Sequence, residues 1–502
     1  MGANKDATDS TAKPGTTSRE RVDTPARAVR SPSAGVAETP LTNKGTKTKA
    51  QTENTDTLGS ATLVERAIHR RAVESVIWGM PGVNGDLMFQ AFRSIGGGFN
   101  QVCYWAGLLN WKNQTLTPNP GVIYLMPFFN TKDVGPMVLE VPPAGDEGSI
   151  TGNINDFWQC ALEDVGPAGV DAGKGGKCLI LPPGYKDKVP DGYFPLFSEH
   201  FQGFALVRCV LKSGSDEDIA KAVAYGKKIK LYPLSQAANP PETIFIDALG
   251  KMFDATITYD LRFLESLDRL VQVEPWLQRD RAYINALEYI GIKKGQPFAP
   301  DEKRKALLQS GIDEARAWLD AMFETVFPRF YPNRQWFFPA LESLAKGNST
   351  FYSDPNEFPI SARAVSYSMG FIGIKRLGGG QYYLYSIHDK EGKPLDSTAA
   401  YHLAVPPNVP VKQFWSVTLY DRTTHALIRE AKNCSVSSQS PDLQTNSDGS
   451  VDLYFGPTAP AGKESNWIDT GPSRNFEVLF RLYGPTKPLF EKTWSLPDIE
   501  KA

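Results

Sequence analysis

The side chains of this sequence that could do chemistry lie mainly at the ends of predicted strands in the C-terminal half. His388 and Asp389 end the run YYLYSIHD, just before the turn residues KEGKPLD. An imidazole beside a carboxylate at a strand end could act as a general base or hold a metal ion. The same Asp389 could instead organise the turn through hydrogen bonds to backbone amides. Asp421, which ends FWSVTLYD, has the same two interpretations, and both stay open.

A second group of side chains is suited to binding rather than to acid–base chemistry. Arg481 and Tyr483, in FRLYGP, point to the same face of an alternating strand and could hold an anionic or hydroxylated ligand. A surface ion pair is the alternative for Arg481. Trp415 and Trp467 could stack on a sugar ring, although they could equally fill the core of a sandwich.

Glu163 and Asp164 are neighbouring carboxylates in CALEDVG. The spacing of apolar residues in INDFWQCALEDVG predicts a helix, which would place both carboxylates at its C-terminal end. The helix dipole disfavours negative charge there, so the placement suggests a partner or a function. A solvated helix end is the alternative, and we retain Glu163 as a catalytic candidate.

Several familiar sites are excluded by spacing. The stretch GPAGVDAGKGGKC lacks the Gly-Lys-Ser/Thr of a phosphate loop, and the chain has neither a G-x-S-x-G nor an H-E-x-x-H motif. The five cysteines have no C-x-x-C spacing, which predicts buried small hydrophobes rather than a zinc cluster or disulfides. The sequence identifies no cofactor, and whether it binds a metal is unknown.

Composition limits the classes of partner. The chain has 502 residues, with 54 Lys and Arg against 56 Asp and Glu, and this balance argues against nucleic acid or an anionic membrane as the main partner. A small polar molecule or a carbohydrate fits better, and a homo-oligomer is plausible on general grounds. No apolar run reaches the length of a membrane span. The odd cysteine count and the absence of an apolar N-terminal segment favour a reducing compartment, so the expected location is cytoplasmic or unknown.

The order of predicted elements indicates a mainly β protein of α+β class with a helical connector. Residues 1–58 are polar and aperiodic, which predicts a disordered tail. Residues 59–238 predict a β-rich domain with helices, and residues 239–345 carry three long helical patterns. Residues 346–502 return to strand alternation and predict a jelly-roll-like antiparallel sandwich.

The C-terminal motifs follow one another in a distinctive order: QFWSVTLYD, SDGSVDLYFGP, ESNWIDTGP, FEVLFRLYGP and KTWSLPDIEKA. Together with TPNPGVIYLMPFF, GPMVLEVPP and KCLILPPGY in the first half, they resemble a paired-domain family. The pair consists of the domains of unknown function 1254 (N-terminal) and 1214 (C-terminal). The resemblance covers roughly residues 70–502 and implies an architecture without an activity.

The resemblance also draws attention to the loop that begins at Asn119. Many relatives have an Asn-Asp-Thr-x-Tyr sequence there, whereas this chain has Asn119-Pro-Gly-Val-Ile-Tyr124 and lacks the Asp and Thr. We retain Asn119 and Tyr124 as ligand-binding candidates. Two functions stay open: a hydrolase-like enzyme acting on a small polar substrate in an interdomain cleft, and a non-catalytic protein that binds carbohydrate or another ligand, or acts as a scaffold.

Overall fold

The computed structural model describes residues 60–341, 343–344, 357–370, 375 and 380–502. The predicted disordered tail, residues 1–58, lies outside these residues, as does the predicted boundary between residues 345 and 346. The other predicted domain boundaries stay predictions.

One layer of the fold consists of helices. The α-helices of the described residues are α1 (Ser60–Ser94), α2 (Thr131–Val134), α3 (Asp216–Gly226), α4 (Leu261–Val273), α5 (Arg281–Ile290), α6 (Glu302–Thr325), α7 (Ile360–Met369) and α8 (Lys487–Phe490). Helices α4, α5 and α6 are the three predicted from the connector sequence. Helix α1 packs against α4, α5, α6 and α7 and runs through Pro81 without ending.

Within the described residues the strands form five sheets. They are β1 (Gln101–Tyr104), β2 (Asn113–Gln114), β3 (Val122–Asn130), β4 (Met137–Val141), β5 (Ile150–Asp156), β6 (Ala161–Val165), β7 (Gly176–Leu181), β8 (Phe194–Phe197), β9 (Gln202–Val210), β10 (Lys230–Pro233), β11 (Phe245–Asp247), β12 (Phe253–Asp254), β13 (Gln381–Ser386), β14 (Tyr401–Val405), β15 (Trp415–Asp421), β16 (Ser435–Ser437), β17 (Val451–Gly456), β18 (Trp467–Asp469), β19 (Phe476–Tyr483) and β20 (Glu500–Lys501). Strands β2 and β12 pair with each other alone.

The N-terminal half is built from two of these sheets. Sheet 1 has the strand order β11-β1-β3-β9-β5-β6 and sheet 2 has the order β10-β4-β7-β8. Alternate residues of β3, including Ile123 and Leu125, contribute to the apolar core that sheet 1 shares with sheet 2 and α3. The residues between them, including Tyr124 and Met126, belong to a different apolar cluster on the opposite face. Strand β3 is therefore buried on both faces, which explains its continuous apolar sequence.

The C-terminal half is also built from two sheets. Sheet 3 has the antiparallel order β13-β19-β15-β16, and sheet 4 has the order β18-β17-β14-β20. Inward-facing residues of both sheets share one apolar core. This arrangement agrees with the predicted α+β class and antiparallel C-terminal sheet, whereas the jelly-roll assignment stays a prediction.

The outer faces of sheets 1 and 3 contribute to a single apolar cluster together with the helices. Phe204 of β9, Leu479 of β19 and Phe92 of α1 all belong to it. The two β-rich halves thus meet through these faces, and a polar group on either one is removed from bulk water.

None of the described helices is both long and apolar enough to cross a membrane.

The helix predicted over INDFWQCALEDVG is wrong. The segment forms strands β5 and β6, joined by a tight turn in which Gln159 has a positive φ of 56°. Strand β5 pairs with both β9 and β6. The apolar residues recur at a spacing near that of a helix, but pairing within a sheet decides the conformation because local patterns are weak compared with tertiary context.

A buried ion pair holds this turn against the loop before β9. Asp156 Oδ2 lies 2.7 Å from His200 Nδ1, and its Oδ1 accepts a hydrogen bond from the backbone amide of Cys160. Burial raises the pKa of Asp156, but the attraction of His200 outweighs it and the pKa is lowered overall. Burial by itself lowers the pKa of His200. The attraction of Asp156 raises this pKa by more than burial lowers it, so the net pKa is raised. Both directions indicate a charged pair at neutral pH.

We expect Asp156→Asn to lower the free energy of unfolding by about 3–5 kcal/mol, because it leaves a buried imidazolium without its partner. The contribution of Asp156 is present above its unfolded pKa near 3.8 and is lost as the pH falls. The contribution of His200 is present below its unfolded pKa near 6.5 and is lost as the pH rises through the raised folded value. Urea denaturation across pH 3–9 should therefore show the largest loss between about pH 4 and 6.5.

The exposed pair Glu217–Lys221 supplies the control for this experiment. Glu217→Gln should leave the free energy of unfolding nearly unchanged, because both side chains are exposed and water screens their attraction. Equal effects of the two substitutions, or a loss for Asp156→Asn that does not depend on pH, would contradict the assignment of a buried ion pair.

Candidate functional site

Sheets 1 and 3 each present a tyrosine directly opposite an arginine. Tyr124 of β3 is the cross-strand partner of Arg208 on β9, and Tyr383 of β13 is the partner of Arg481 on β19. All four side chains line one cavity of about 60 Å³. On this scale a single water needs roughly 10–15 Å³, so the cavity is large enough for a few waters or a small ligand.

The guanidinium of Arg208 is buried with little hydrogen bonding. The residue is 7% exposed, and its Nε lies 3.4 Å from the Tyr124 hydroxyl, at the weak limit of a hydrogen bond. Among the described residues, no acceptor lies within hydrogen-bonding distance of its terminal nitrogens and no carboxylate is paired with it. Burial alone lowers the pKa of Arg208, but the surrounding tyrosines outweigh it and the net pKa is raised. The side chain therefore stays charged.

Arg481 is buried in the same way but is well satisfied. Its Nη2 donates to the carbonyl oxygen of Thr117 at 2.8 Å and to the hydroxyl of Tyr420 at 2.5 Å. Its Nη1 donates to Thr418 Oγ1 at 3.1 Å. Arg481 thus ties sheet 3 to the loop that begins at Thr117, and its own contacts come from the protein.

The two cavity tyrosines also differ. The Tyr124 hydroxyl accepts a hydrogen bond from the backbone amide of Asn119 at 3.0 Å. The hydroxyl of Tyr383 makes no hydrogen bond within the part of the chain that the structure describes. Burial raises the pKa of Tyr383, and although Arg208 and Arg481 lower it, the net pKa is raised. At neutral pH the Tyr383 hydroxyl is therefore protonated and available to donate.

Asn119 links this loop to the C-terminal sheet. Its Nδ2 donates to the Tyr483 hydroxyl at 2.6 Å, and its Oδ1 accepts from the amide of Gly121 at 2.9 Å. Phe414 stacks on the ring of Tyr483 with centroids 4.3 Å apart. The four sequence candidates for ligand binding, Asn119, Tyr124, Arg481 and Tyr483, thus lie together, although only Tyr124 and Arg481 line the cavity.

The rest of the cavity wall is mostly apolar, with a few neutral polar side chains. Its apolar residues are Met88, Trp105, Leu109, Leu116, Pro118, Met126, Leu206 and Leu479, and its neutral polar residues are Asn84, Asn113, Thr115 and Thr117. The described lining contains two arginines and neither a carboxylate nor an imidazole. The cavity is therefore electrostatically positive.

The catalytic candidates of the C-terminal half lie elsewhere and have local partners. Asp389 Oδ1 accepts hydrogen bonds from the amides of Glu391 and Lys393, which is the turn-organising arrangement. His388 Nε2 lies 3.2 Å from a carboxylate oxygen of Glu324 on α6. None of them lines the cavity between sheets 1 and 3.

The remaining catalytic candidates are also separate from the cavity. Asp421 Oδ1 accepts from the amides of Thr423 and Thr424, and so also organises a turn. Glu163 does not lie at a helix end, because it belongs to strand β6, where the helix dipole has no effect. Its carboxylate lies 3.4 Å from Lys375 Nζ.

The two candidate carbohydrate-binding tryptophans are buried. Trp415 is 5% exposed and stacks on Phe480 within the core of sheets 3 and 4. Trp467 is 8% exposed and its indole nitrogen donates to the carbonyl oxygen of Gly456. Neither ring presents a face on which a sugar could stack. The described residues also contain no group of His, Cys, Asp and Glu side chains that could hold a metal ion.

Neither Arg208 nor Tyr383 was predicted from the sequence as a residue of the site. Arg208 is the single charged residue of the apolar run FALVRCVL, and a charge in the middle of a strand buried on both faces is a usable signal. Tyr383 gives no such signal, because tyrosine is common in half-buried strands.

Models of known protein families match one region in each half of the chain. Residues 99–233 match the model described as a protein of unknown function (DUF1254), and residues 380–487 match the model described as a protein of unknown function (DUF1214). The chain therefore carries both members of the predicted pair in the predicted order. Each matched region supplies one tyrosine–arginine pair to the cavity. Comparison with curated proteins found no match.

Two solved structures are similar to this chain. The VPA0106 protein from Vibrio parahaemolyticus is 16% identical with a TM-score of 0.53, and the match covers 87% of this chain and 100% of that one. An uncharacterized protein from Burkholderia cenocepacia is 13% identical with a TM-score of 0.40, covering 87% of this chain and 94% of that one. The similarity to the first structure supports the fold alone.

The two cavity arginines should differ in their effect on stability. We expect Arg481→Met to lower the free energy of unfolding by about 3 kcal/mol or more, because it leaves several buried acceptors without donors. Arg208→Met should change it by less than about 1 kcal/mol or raise it, because it removes a buried charge that the protein does not pair. Urea denaturation in a buffer that contains only chloride as the anion measures both effects. A loss for Arg208→Met as large as that for Arg481→Met would contradict this difference.

Proposed function

We propose that the protein binds a small anion in the cavity between sheets 1 and 3, with the guanidinium of Arg208 as the main contact. The observation that carries the proposal is the state of this side chain. It is buried and charged, and within the described residues its terminal nitrogens have no acceptor. A buried charge without a partner is costly, so its presence is explained best by a ligand that supplies the missing negative charge.

Arg481 provides an internal comparison for this argument. It lies in the same cavity at a similar depth, and it donates to Thr117, Thr418 and Tyr420. An arginine with a purely structural role would be expected to make contacts of this kind. Arg208 makes one long hydrogen bond, which supports a role in binding rather than in holding the fold together.

Other donors that line the same cavity also favour an anion. The Tyr383 hydroxyl is protonated and has no acceptor among the described residues. Asn113 uses its Oδ1 to accept hydrogen bonds from Thr115, and its Nδ2 has no acceptor in the same described part of the chain. Three neutral or cationic donors around a space without carboxylates form a suitable environment for a carboxylate or a phosphate group.

The hydrolase-like activity predicted from the sequence is supported less well. The described residues lining the cavity include no carboxylate, imidazole or thiol, so the threonine and tyrosine hydroxyls that line it have no general base beside them in that lining. Carbohydrate stacking on Trp415 and Trp467 is not supported either, because both rings are buried. Ligand binding, the second function left open by the sequence, therefore agrees best with the geometry.

A thermal denaturation series tests the proposal. Wild-type protein is heated with acetate, isovalerate, succinate or phosphate at constant ionic strength, with chloride as the reference anion. At least one of the four should raise the melting temperature, by about 3 °C at a concentration of 100 Kd, because a ligand that binds only the folded state stabilises it by about 2.7 kcal/mol. Arg208→Met should abolish this shift.

Arg262→Met is the matched control for the series. Arg262 is exposed and pairs with Asp260 at the start of α4, away from the cavity. Its substitution should leave the anion-dependent shift unchanged. The proposal would be rejected if none of the four anions stabilised the wild-type protein, or if Arg208→Met kept the full shift.

A further inference from the structure

The cavity has a polar end and an apolar end, and both sheets repeat the same order. Leu206 precedes Arg208 by two residues on β9, and Leu479 precedes Arg481 by two residues on β19. Residues two apart on a strand point to the same face and lie roughly 6.5–7 Å apart. A row of tyrosine and arginine is therefore followed, on each wall of the cavity, by a row that contains leucine.

Further apolar side chains extend the apolar end. Met126 lies two residues beyond Tyr124 on β3 and lines the cavity beside Leu206. Met88 of α1 also lines the cavity, as do Trp105 and Leu109 from the segment between β1 and β2. A ligand that filled the cavity would place one part against guanidinium and hydroxyl groups and the other part against aliphatic and aromatic side chains.

The charges at the polar end indicate a monoanion. Arg481 already donates to protein acceptors, so Arg208 is the guanidinium that remains available among the described lining residues. One planar guanidinium edge matches one carboxylate, with two parallel N–H···O hydrogen bonds. A phosphate dianion or a dicarboxylate would bring a second negative charge against the apolar wall, where it would have no partner.

We propose that the ligand is a monocarboxylate with a short, compact apolar body. This inference rests on the anion-binding function proposed above and specifies its ligand class. The carboxylate lies against Arg208 and Tyr383, and the apolar body lies against Leu206, Met126 and Leu479. The volume of about 60 Å³ sets the size of the body, which is a few carbon atoms rather than a fatty-acid chain.

The test is isothermal titration calorimetry of the full chain with a matched ligand series. Isovalerate should bind roughly 50-fold more tightly than acetate, because each added CH₂ group that is buried contributes about fourfold. Octanoate should bind at least about tenfold more weakly than isovalerate, because its chain exceeds the cavity. Isovaleramide, which has the same shape without the charge, should show no measurable binding, and neither should phosphate or succinate.

A pair of variants tests the assignment of the two ends. Arg208→Met should abolish isovalerate binding. Leu206→Ala should weaken isovalerate binding by about 30-fold or more. The substitution should also reduce the ratio of isovalerate affinity to octanoate affinity, because it enlarges the apolar end of the cavity. Circular dichroism and the melting temperature identify a variant that fails to fold, in which case the wild-type ligand series decides the question alone.

The outcomes separate the two proposals. Equal binding of acetate and isovalerate, or binding of phosphate that depends on Arg208 without binding of isovalerate, would overturn the monocarboxylate inference and leave anion binding in place. Binding of isovaleramide as tight as that of isovalerate would overturn both, because the charge would then contribute nothing.

Discussion

The rest of this site depends on the hydrogen bonds that the guanidinium of Arg481 donates. It belongs to the C-terminal sheet 3, yet it donates to the carbonyl oxygen of Thr117 in a loop of the N-terminal half. The Tyr420 hydroxyl, which accepts from the same guanidinium, donates to the carbonyl oxygen of Pro118 in that loop. These hydrogen bonds fix the loop that carries Asn119. Asn119 in turn orients the hydroxyls of Tyr124 and Tyr483, one from each half of the chain. One buried cation thus positions the loop whose residues Thr117 and Pro118 form part of the cavity wall.

Arg208 shows what the same side chain does when the protein supplies no acceptors. Its surroundings resemble those of Arg481 in depth and in the nearby aromatic rings, and it lies 5.4 Å from the centroid of Tyr124. A cation–π contact contributes about 0.5–2 kcal/mol, which is small compared with the desolvation of a charge. We therefore expect Arg208 to contribute little to the stability of the fold. Such a group is expected where binding, rather than stability, determines the residue.

Much of the fold could be predicted from the sequence, because strand alternation and helix capping act locally. Helices α4 and α6 end shortly before Pro275 and Pro328, and α6 begins just after Pro300, because proline is poorly tolerated inside a helix. Alternation also placed Arg481 and Tyr483 on one face. The segment containing Glu163 was assigned wrongly, because its apolar spacing fits a helix and only pairing with other strands decides otherwise.

The candidate site could be predicted only in part, for a different reason. The tyrosine–arginine pairs join residues that are 84 and 98 positions apart in the sequence, so strand register, rather than any motif, brings them together. The catalytic candidates were predicted from the sequence because neighbouring carboxylates and histidines can act as general acids and bases. In the structure Asp389 and Asp421 accept hydrogen bonds from backbone amides of their own turns. The carboxylates of Asp389 and Asp421 thus have a local structural role, which the sequence had left as one of two interpretations.

The composition of the cavity wall connects the paired domains to the proposed ligand. The first matched region supplies Tyr124 and Arg208, and the second supplies Tyr383 and Arg481. Neither sheet alone encloses the space, since each contributes one wall and its polar row would face water if the other were absent. Exposed to water, the guanidinium of Arg208 would be hydrated and its attraction for an anion would be screened. Enclosure by the second sheet removes that water and makes the same charge an effective binding group. The pairing of the two domains in one chain is therefore what gives the proposed anion site its physical basis.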